Sequence, residues 1–349
     1  MDQYSFLFKP HRGLQGGEKS ANISATAAVV FPENRGRMAY IIATANMKGG
    51  VGKTTLTVNL AASLAKHFQK RVLVVDLDTQ ISATLSLMSP QDFAKRRKEQ
   101  RTLKHVVNQI VRQGEATQPT VLDVVHHYIG SLKGFDLLPG DIDLYDEFLV
   151  SETLFAKASQ DPNHNFAQAW NRLERILLQR ILEPLHKDYD FIVLDCAPGY
   201  SLLTRSALVS SDFYILPAKP EPLSVVGIQL LERRIEELRQ NHQLTDEVTT
   251  QLLGIVFTMT GGIFTSRYYR QVMQRVHTDF SAAKVFQTQV PQDVSVSKAV
   301  DTFTPIVLSN PTATGAKVFV KLTQEFLKKL EVSLGEKEQK TKLNLAAIE

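Results

Sequence analysis

Residues 46–56 read NMKGGVGKTTL, and this stretch constrains the fold more than any other. Gly49, Gly50 and Gly52 are packed between two lysines, Lys48 and Lys53. The preceding run, MAYIIATA, is apolar enough for a strand covered on both faces. The following run, TTLTVNLAASLAKHF, puts Leu56, Leu60, Ala61 and Leu64 on one helical face. A glycine-rich loop between strand and helix can bring successive backbone N–H groups close to an anion, which a Cβ would obstruct. Such loops of the form G-x-x-x-x-G-K-[ST] wrap nucleotide phosphates. Here the first glycine of that form is replaced by Met47, and the chain carries K-G-G-V-G-K-T instead. Gly49, Gly50, Val51, Gly52, Lys53, Thr54 and Thr55 are the expected phosphate cradle. Lys53 is expected to reach the β- and γ-phosphates, with the Thr54 hydroxyl as a Mg²⁺ ligand. One lysine suffices for that task, so Lys48 requires a second role.

Two further strand ends carry acids. VLVVDLDTQ places Asp76 and Asp78 two residues apart, on one side of an extended chain. DFIVLDCAPG ends an apolar run with Asp195. A carboxylate on an apolar strand beside a phosphate loop can hold Mg²⁺, usually through water, next to the γ-phosphate. Asp76 and Asp195 are therefore candidate metal-site residues, and simple strand-end turns or caps are the alternative.

The strand–helix alternation runs from Met38 to about residue 334. Strands are expected at 39–45, 71–78, 135–140, 190–197, 212–219, 252–259 and 284–290, with helical patterns between them. This order predicts an α/β fold: a doubly wound, mostly parallel sheet with helices on both faces and the ligand at the carboxyl ends of the strands. Residues 1–37 read as a disordered extension, 89–134 as a basic helical insertion, and 335–349 as a charged flexible tail. Translation could start at Met1 or Met38.

Of the 349 residues, 43% are hydrophobic and 22% charged, as in ordinary globular domains. The N-terminus lacks the pattern of a signal peptide, and no apolar run is long enough to span a bilayer. The single cysteine, Cys196, excludes an intramolecular disulfide and suits a reducing cytoplasm. The net charge of +4 is concentrated. Between Asp92 and Arg112 there are seven lysines and arginines against two acids, leaving the remainder near neutral.

KGGVGKTT, VLVVDLDTQ and DFIVLDCAPG, followed by DFYILPAKPEPLSVVGIQLL, GIVFTM and VPQDVSVSKAV, together resemble the ParA/Soj family of deviant Walker A ATPases within the ParA–MinD group. The resemblance covers about residues 38–330. It implies ATP and Mg²⁺ as ligands and a homodimer that sandwiches two ATP molecules, with Lys48 reaching the phosphates held by the partner. By the same resemblance Asp78 positions or activates the attacking water, and Asp76 supports Thr54 and the metal. FTM and VPQD, with Pro291 and Asp293, line the adenine pocket. The sequence departs from the family pattern at Thr79, where proline is usual, and at Cys196-Ala197-Pro198, where a Pro-Pro pair is usual.

Family members commonly bind DNA without sequence preference, through Lys and Arg contacts to phosphate. Two of their usual arginine positions hold Gln292 and Ser295 here. Arg267, Arg270 and Arg275 form one replacement cluster, and Lys95, Arg96, Arg97, Lys98 and Arg101 a second, either of which could instead be a solvated helix face. The resemblance implies a cytoplasmic, nucleoid-associated ATPase that moves a plasmid, chromosome or protein assembly. Hydrolysis is then triggered by a ParB-like or other cargo adaptor. The alternative is a MinD-like positioning ATPase working through a protein partner or surface without DNA. A metabolic phosphoryl-transfer enzyme is the remote third reading. The end of the chain lacks the bulky apolar and basic faces of a lipid anchor, so no membrane insertion is expected. One cysteine cannot ligate an iron–sulfur cluster, which excludes carriers of that kind.

Overall fold

The computed structural model describes residues 38–113, 120–144, 146–160, 165–241, 249–260 and 267–346. The expected extension at 1–37 lies outside the described residues. Seven strands form one parallel sheet: β1 (Tyr40–Thr44), β2 (Val72–Asp76), β3 (Phe135–Leu138), β4 (Phe191–Asp195), β5 (Phe213–Ala218), β6 (Gln251–Thr260) and β7 (Val290–Pro291). Their spatial order is β3-β2-β4-β1-β5-β6-β7. Every pairing between these strands is parallel. The expected sheet is therefore the observed one.

The connecting helices are α1 (Lys53–Phe68), α2 (Ser82–Leu87), α3 (Pro90–Lys98), α4 (Leu103–Gln113), α5 (Val121–Val124), α6 (Glu147–Gln160) and α7 (Phe166–Leu182). They continue as α8 (Leu202–Ser210), α9 (Pro222–Asn241), α10 (Arg267–Asp279), α11 (Val294–Asp301), α12 (Ile306–Ser309) and α13 (Thr314–Ala346). The strands separate the helices into two layers because their side chains alternate between faces. Ile41, Ala43, Leu73, Val75, Ile192, Leu194 and Leu216 join the core that also holds Val106 and Val107 of α4, Leu177 and Ile181 of α7 and Ile228 of α9. The opposite face meets α1 and α13. There the Phe191 ring lies edge-on to Phe326, with centroids 5.9 Å apart. Strands buried on both faces explain why the sequence shows continuous apolar runs rather than alternation.

Two sequence expectations need correction. The strand expected at 284–290 shrinks to Val290–Pro291 plus a single parallel bridge between Ile255 and Val285. The reason is a competing acceptor. Both Glu325 carboxylate oxygens, on α13, take the N–H groups of Gln287 and Thr288 at 2.7 and 2.8 Å, removing them from the ladder. The second correction concerns the tail. Helix α13 spans 33 residues, so helix continues to Ala346 through most of the segment expected to fray. At 1.5 Å per residue it is about 50 Å long. The described residues of 89–134 contain α3, α4, α5 and the short turn Ile129–Ser131.

β1 lies between β4 and β5, while the chain leaves it for β2 on one side and later crosses it to reach β5. That reversal opens a crevice at the carboxyl end of β1. The loop after β1 and the acids ending β2 and β4 all meet there.

Candidate nucleotide site

Glycine geometry shapes the loop after β1. Gly50 and Gly52 have φ of 67° and 81°, in the left-handed region that an L side chain resists. Gly49 and Gly50 are exposed, and no atom lies within 4 Å of where a Gly50 Cβ would stand, so the cradle is open. Gly52 is also the residue that precedes α1 and offers no side-chain cap. The first turn of α1 contains no acid either. Its N–H groups and the positive end of the helix dipole are thus directed at an anion site. The Thr258 hydroxyl at the end of β6 donates to the Val51 carbonyl at 2.7 Å and holds the loop from the other side.

The two lysines occupy different surroundings. Lys53 is buried, and its Nζ donates to the Lys48 carbonyl at 3.1 Å across the loop. Burial lowers its pKa, against the opposing pull of Asp195, Cys196 and Asp78. A phosphate would restore the missing negative partner. Lys48 instead lies at the rim. Its side chain is 40% exposed, and its Nζ pairs with Glu221, just before α9, at 2.6 Å. Its backbone N–H donates to Asn46 Oδ1 at 2.9 Å, while Asn46 Nδ2 donates to the Pro217 carbonyl at 2.8 Å. Loop residue 48 is therefore fixed to β5, with its ammonium outside the cradle.

The acids are arranged differently from the sequence-based expectation. Asp195 and Asp76 are register partners on β4 and β2, both fully buried. Thr54 Oγ1 donates to Asp195 Oδ2 at 2.7 Å, and Thr57 Oγ1 donates to Asp195 Oδ1 at 2.9 Å. Asp76 does not support Thr54. Its Oδ2 accepts from the backbone N–H and the hydroxyl of Thr84, both at 2.7 Å, and its Oδ1 accepts from Asp78 N at 3.1 Å. The support role expected of Asp76 belongs to Asp195, because the start of α1 reaches Asp195 with the Thr54 and Thr57 hydroxyls while the Asp76 carboxylate is taken by Thr84 and the Asp78 N–H. Burial, then repulsion between the pair, pushes the Asp195 carboxyl above its ordinary range. Asp76 is likewise raised, mainly by burial. Asp78 sits at the site edge, 8% exposed, and its Oδ1 accepts the Gln80 N–H at 2.9 Å.

The donor set is hard oxygen: one hydroxyl and clustered carboxylates. Among the described residues no group of three or more His, Cys, Asp or Glu is placed to hold a metal unaided. That fits Mg²⁺, which commonly takes one or two protein oxygens and completes its shell with water and phosphate. Buried Cys196 has its pKa pushed far up by burial and is no nucleophile.

Residues given no role from sequence complete the site, namely Thr57, Thr84, Asn46 and Glu221, and Thr258, expected within FTM at the adenine pocket, binds the phosphate loop. Thr57 had a usable signal, since it lies three residues after Thr54 on a helix whose start faces the strand ends. Thr84 and Glu221 are brought in by tertiary folding alone. Of the adenine-pocket residues, Pro291 is half-buried on β7 beside the end of β6, opposite Thr260. Asp293 precedes α11 and accepts from Ser295 N at 2.8 Å and Ser295 Oγ at 2.6 Å, hydrogen bonds that lower its pKa. In FTM, Phe257 is fully buried in the core.

Three arginines of the basic block are engaged within the chain. Arg96 donates to the Val124 carbonyl at 3.0 Å and to His126 Nδ1 at 2.9 Å. Arg97 pairs with Asp141 and Asp143 at 3.3 and 2.5 Å. Arg101 donates to the Asp123 carbonyl at 2.8 Å. Lys95 and Lys98 are exposed. On α10, Arg275 is exposed and pairs with Asp279 at 3.0 Å, while the side chains of Arg267 and Arg270 lie outside the described residues.

A glycine cradle at the carboxyl edge of a central parallel strand, a buried lysine and two buried strand-end acids define a P-loop nucleoside triphosphatase fold. The AAA_31 family model, an AAA domain, matches residues 39–248. The sporulation initiation inhibitor protein Soj of Bacillus subtilis is 32% identical over 288 residues, covering 82% of this chain and 98% of the relative. The chromosome-partitioning ATPase Soj of Thermus thermophilus is 31% identical, covering 83% and 96%. An aspartate-to-alanine variant of Cyanothece McdA in complex with ATP shares the fold, with a TM-score of 0.62, 17% identity and coverage of 84% and 98%. So does cobyrinic acid a,c-diamide synthase of Mycobacterium smegmatis with ADP and magnesium, with a TM-score of 0.58, 23% identity and coverage of 84% and 96%. The chain belongs to the ParA/Soj family of P-loop ATPases.

Proposed function

We propose that the protein is an ATPase of the partition type, whose ATP·Mg²⁺ state is a homodimer held by Lys48 across the interface. The observation that carries this reading is the division of labour between the lysines. Lys53 is buried inside the cradle, whereas Lys48 stands half-exposed at its rim, released from the chain only by breaking one half-exposed ion pair with Glu221. Such a surface pair is worth at most about 1 kcal/mol. Two triphosphates brought face to face carry a large negative charge, and a cation lent by each subunit offsets it. Nucleotide binding then becomes association energy.

Within each subunit the cradle N–H groups and Lys53 orient the triphosphate. Thr54, steadied by Asp195, would contribute the protein's hydroxyl to Mg²⁺, which when bound neutralises phosphate charge. Asp78, the acid at the site edge, would orient the attacking water. Hydrolysis removes the γ-phosphate contact on which Lys48 depends, and the dimer loosens. A cargo adaptor of the ParB type accelerates that step, and the cargo is a plasmid, chromosome or protein assembly. We place the ATP dimer on nucleoid DNA in the cytoplasm, through Arg267, Arg270 and Arg275 of α10 with Lys95. Among the described residues no helix is long and apolar enough to cross a membrane.

The second reading, a positioning ATPase that works through a protein partner without DNA, is favoured by one observation. Arg96, Arg97 and Arg101 are engaged within the chain rather than presented to phosphate. Light scattering with and without ATP tests the dimer: wild type should double in mass, and Lys48→Ala and Lys53→Ala should not. No ATP-dependent change in wild type refutes the proposal. Mobility of random-sequence duplex DNA at two salt concentrations separates the two readings, since phosphate contacts weaken steeply with salt.

A further inference from the structure

The helical insertion contains a cleft that the nucleotide chemistry does not use. A cavity of about 810 Å³ lies between α3 and α4, with Arg97, Lys98, Lys104, His105 and Arg112 around it and Phe93 in its lining. Its only acid among the described lining residues is Asp141, 1% exposed on its side chain and already engaged by Arg97 and Thr102. A second cleft of about 690 Å³ flanks α4 toward the start of α6. Lys104, Asn108 and Arg112 line both. They are spaced by four residues, so they form one stripe along α4. The second cleft adds apolar surface, because Ile142 is 47% exposed and Phe148, at the start of α6, is 79% exposed. Its acids are Asp143, which pairs with Arg97 and Lys104, and Asp146 at the α6 end.

We propose that the stripe on α4, with cations on one flank and Phe148 and Ile142 on the other, is the docking site for an acidic, apolar-bearing helical segment of a partner protein. Lys98 and Arg112, exposed and in no ion pair with an acid among the described residues, select an acidic face, and the exposed phenylalanine supplies the anchor that an amphipathic segment would bury. Duplex DNA fits less well. A duplex backbone has no apolar group to cover Phe148 and Ile142, and with Arg97 and Lys104 already shared with Asp143 the remaining cations are too few for a phosphate track, though enough for one acidic helix face. This site is separate from the phosphate loop, so the proposal stands or falls independently of the ATP-dimer reading.

The probe is a short, fluorescein-labelled designed helix with glutamates along one face and leucines beside them. It is titrated by anisotropy into the full chain, with a glutamate-to-lysine version of the peptide and a random duplex as controls. The acidic helix should bind saturably, and the lysine version should not. Lys98→Glu with Arg112→Glu, both exposed positions, should weaken binding by about tenfold or more, and so should Phe148→Ser. Thermal stability and ATP binding of these variants should match wild type. Hydrogen exchange in the presence of the peptide should protect α4 and the start of α6. Absence of saturation up to about millimolar chain, the weak end of specific recognition, would overturn the proposal. So would affinity unchanged by the variants. Binding of the duplex alone, lost in the same charge reversals, would assign the cleft to nucleic acid instead.

Discussion

Gly140→Ala tests how tightly the strand-end acids are set. Gly140 follows β3, and its N–H donates to Thr84 Oγ1 at 2.9 Å, the hydroxyl that in turn donates to Asp76. A Cβ at position 140 would stand 2.9 Å from the Asp76 carbonyl oxygen, 3.1 Å from its Cγ and 3.3 Å from its Cβ. Asp76 cannot yield, because it is fully buried on β2 and its carboxylate accepts three hydrogen bonds. The loop after β3 must therefore retreat by several tenths of an ångström, stretching the Gly140–Thr84 bond. Overpacking of this kind costs about 1–3 kcal/mol. Calorimetry should show a lower Tm, and a fluorescent ATP analogue should bind more weakly as Asp76 is displaced. Gly227→Ala is the matched control. That residue lies within α9 with no atom within 4 Å of the position an added methyl would take, so alanine should stabilise by up to about 1 kcal/mol. A Gly140→Ala protein with wild-type Tm and wild-type nucleotide affinity would refute the claim that Asp76 is rigidly held.

Thr57→Val removes one of the two hydroxyls on buried Asp195 and should cost about 1–3 kcal/mol, read by urea unfolding, with weaker Mg²⁺-dependent nucleotide binding. Glu221→Gln should leave Tm nearly unchanged, since the pair is half-exposed, while lowering the ATP concentration at which mass doubles in light scattering. His126 has its pKa lowered by burial and by Arg96, which donates to its Nδ1. Its folded pKa lies below its unfolded one, so the unfolded chain binds more protons and stability falls as pH drops below about 6.5. His126→Asn should therefore lose less Tm on acidification than wild type, measured by scanning fluorimetry.

The phosphate loop, the strands around it and the acids at their ends were legible from sequence because their signals are local. Glycines mark where backbone must meet an anion, and continuous apolar runs mark strands covered on both faces. The strand expected at 284–290 was too long because Glu325, 37 residues or more along the chain, competes for its N–H groups. The fate of the basic block was illegible for a similar reason. Composition counts arginines, but only folding brings Asp141, Asp143 and the carbonyls of Asp123 and Val124 within their reach. Sequence alone thus determined the parallel sheet and the site's chemical groups, which depend on residue type and short-range spacing. Tertiary structure alone decided that Asp195 rather than Asp76 grips Thr54, and that Lys48 rests on Glu221. Those pairings join residues more than 100 positions apart, and hydrogen-bond partners at that range are set by how strands order themselves in the sheet.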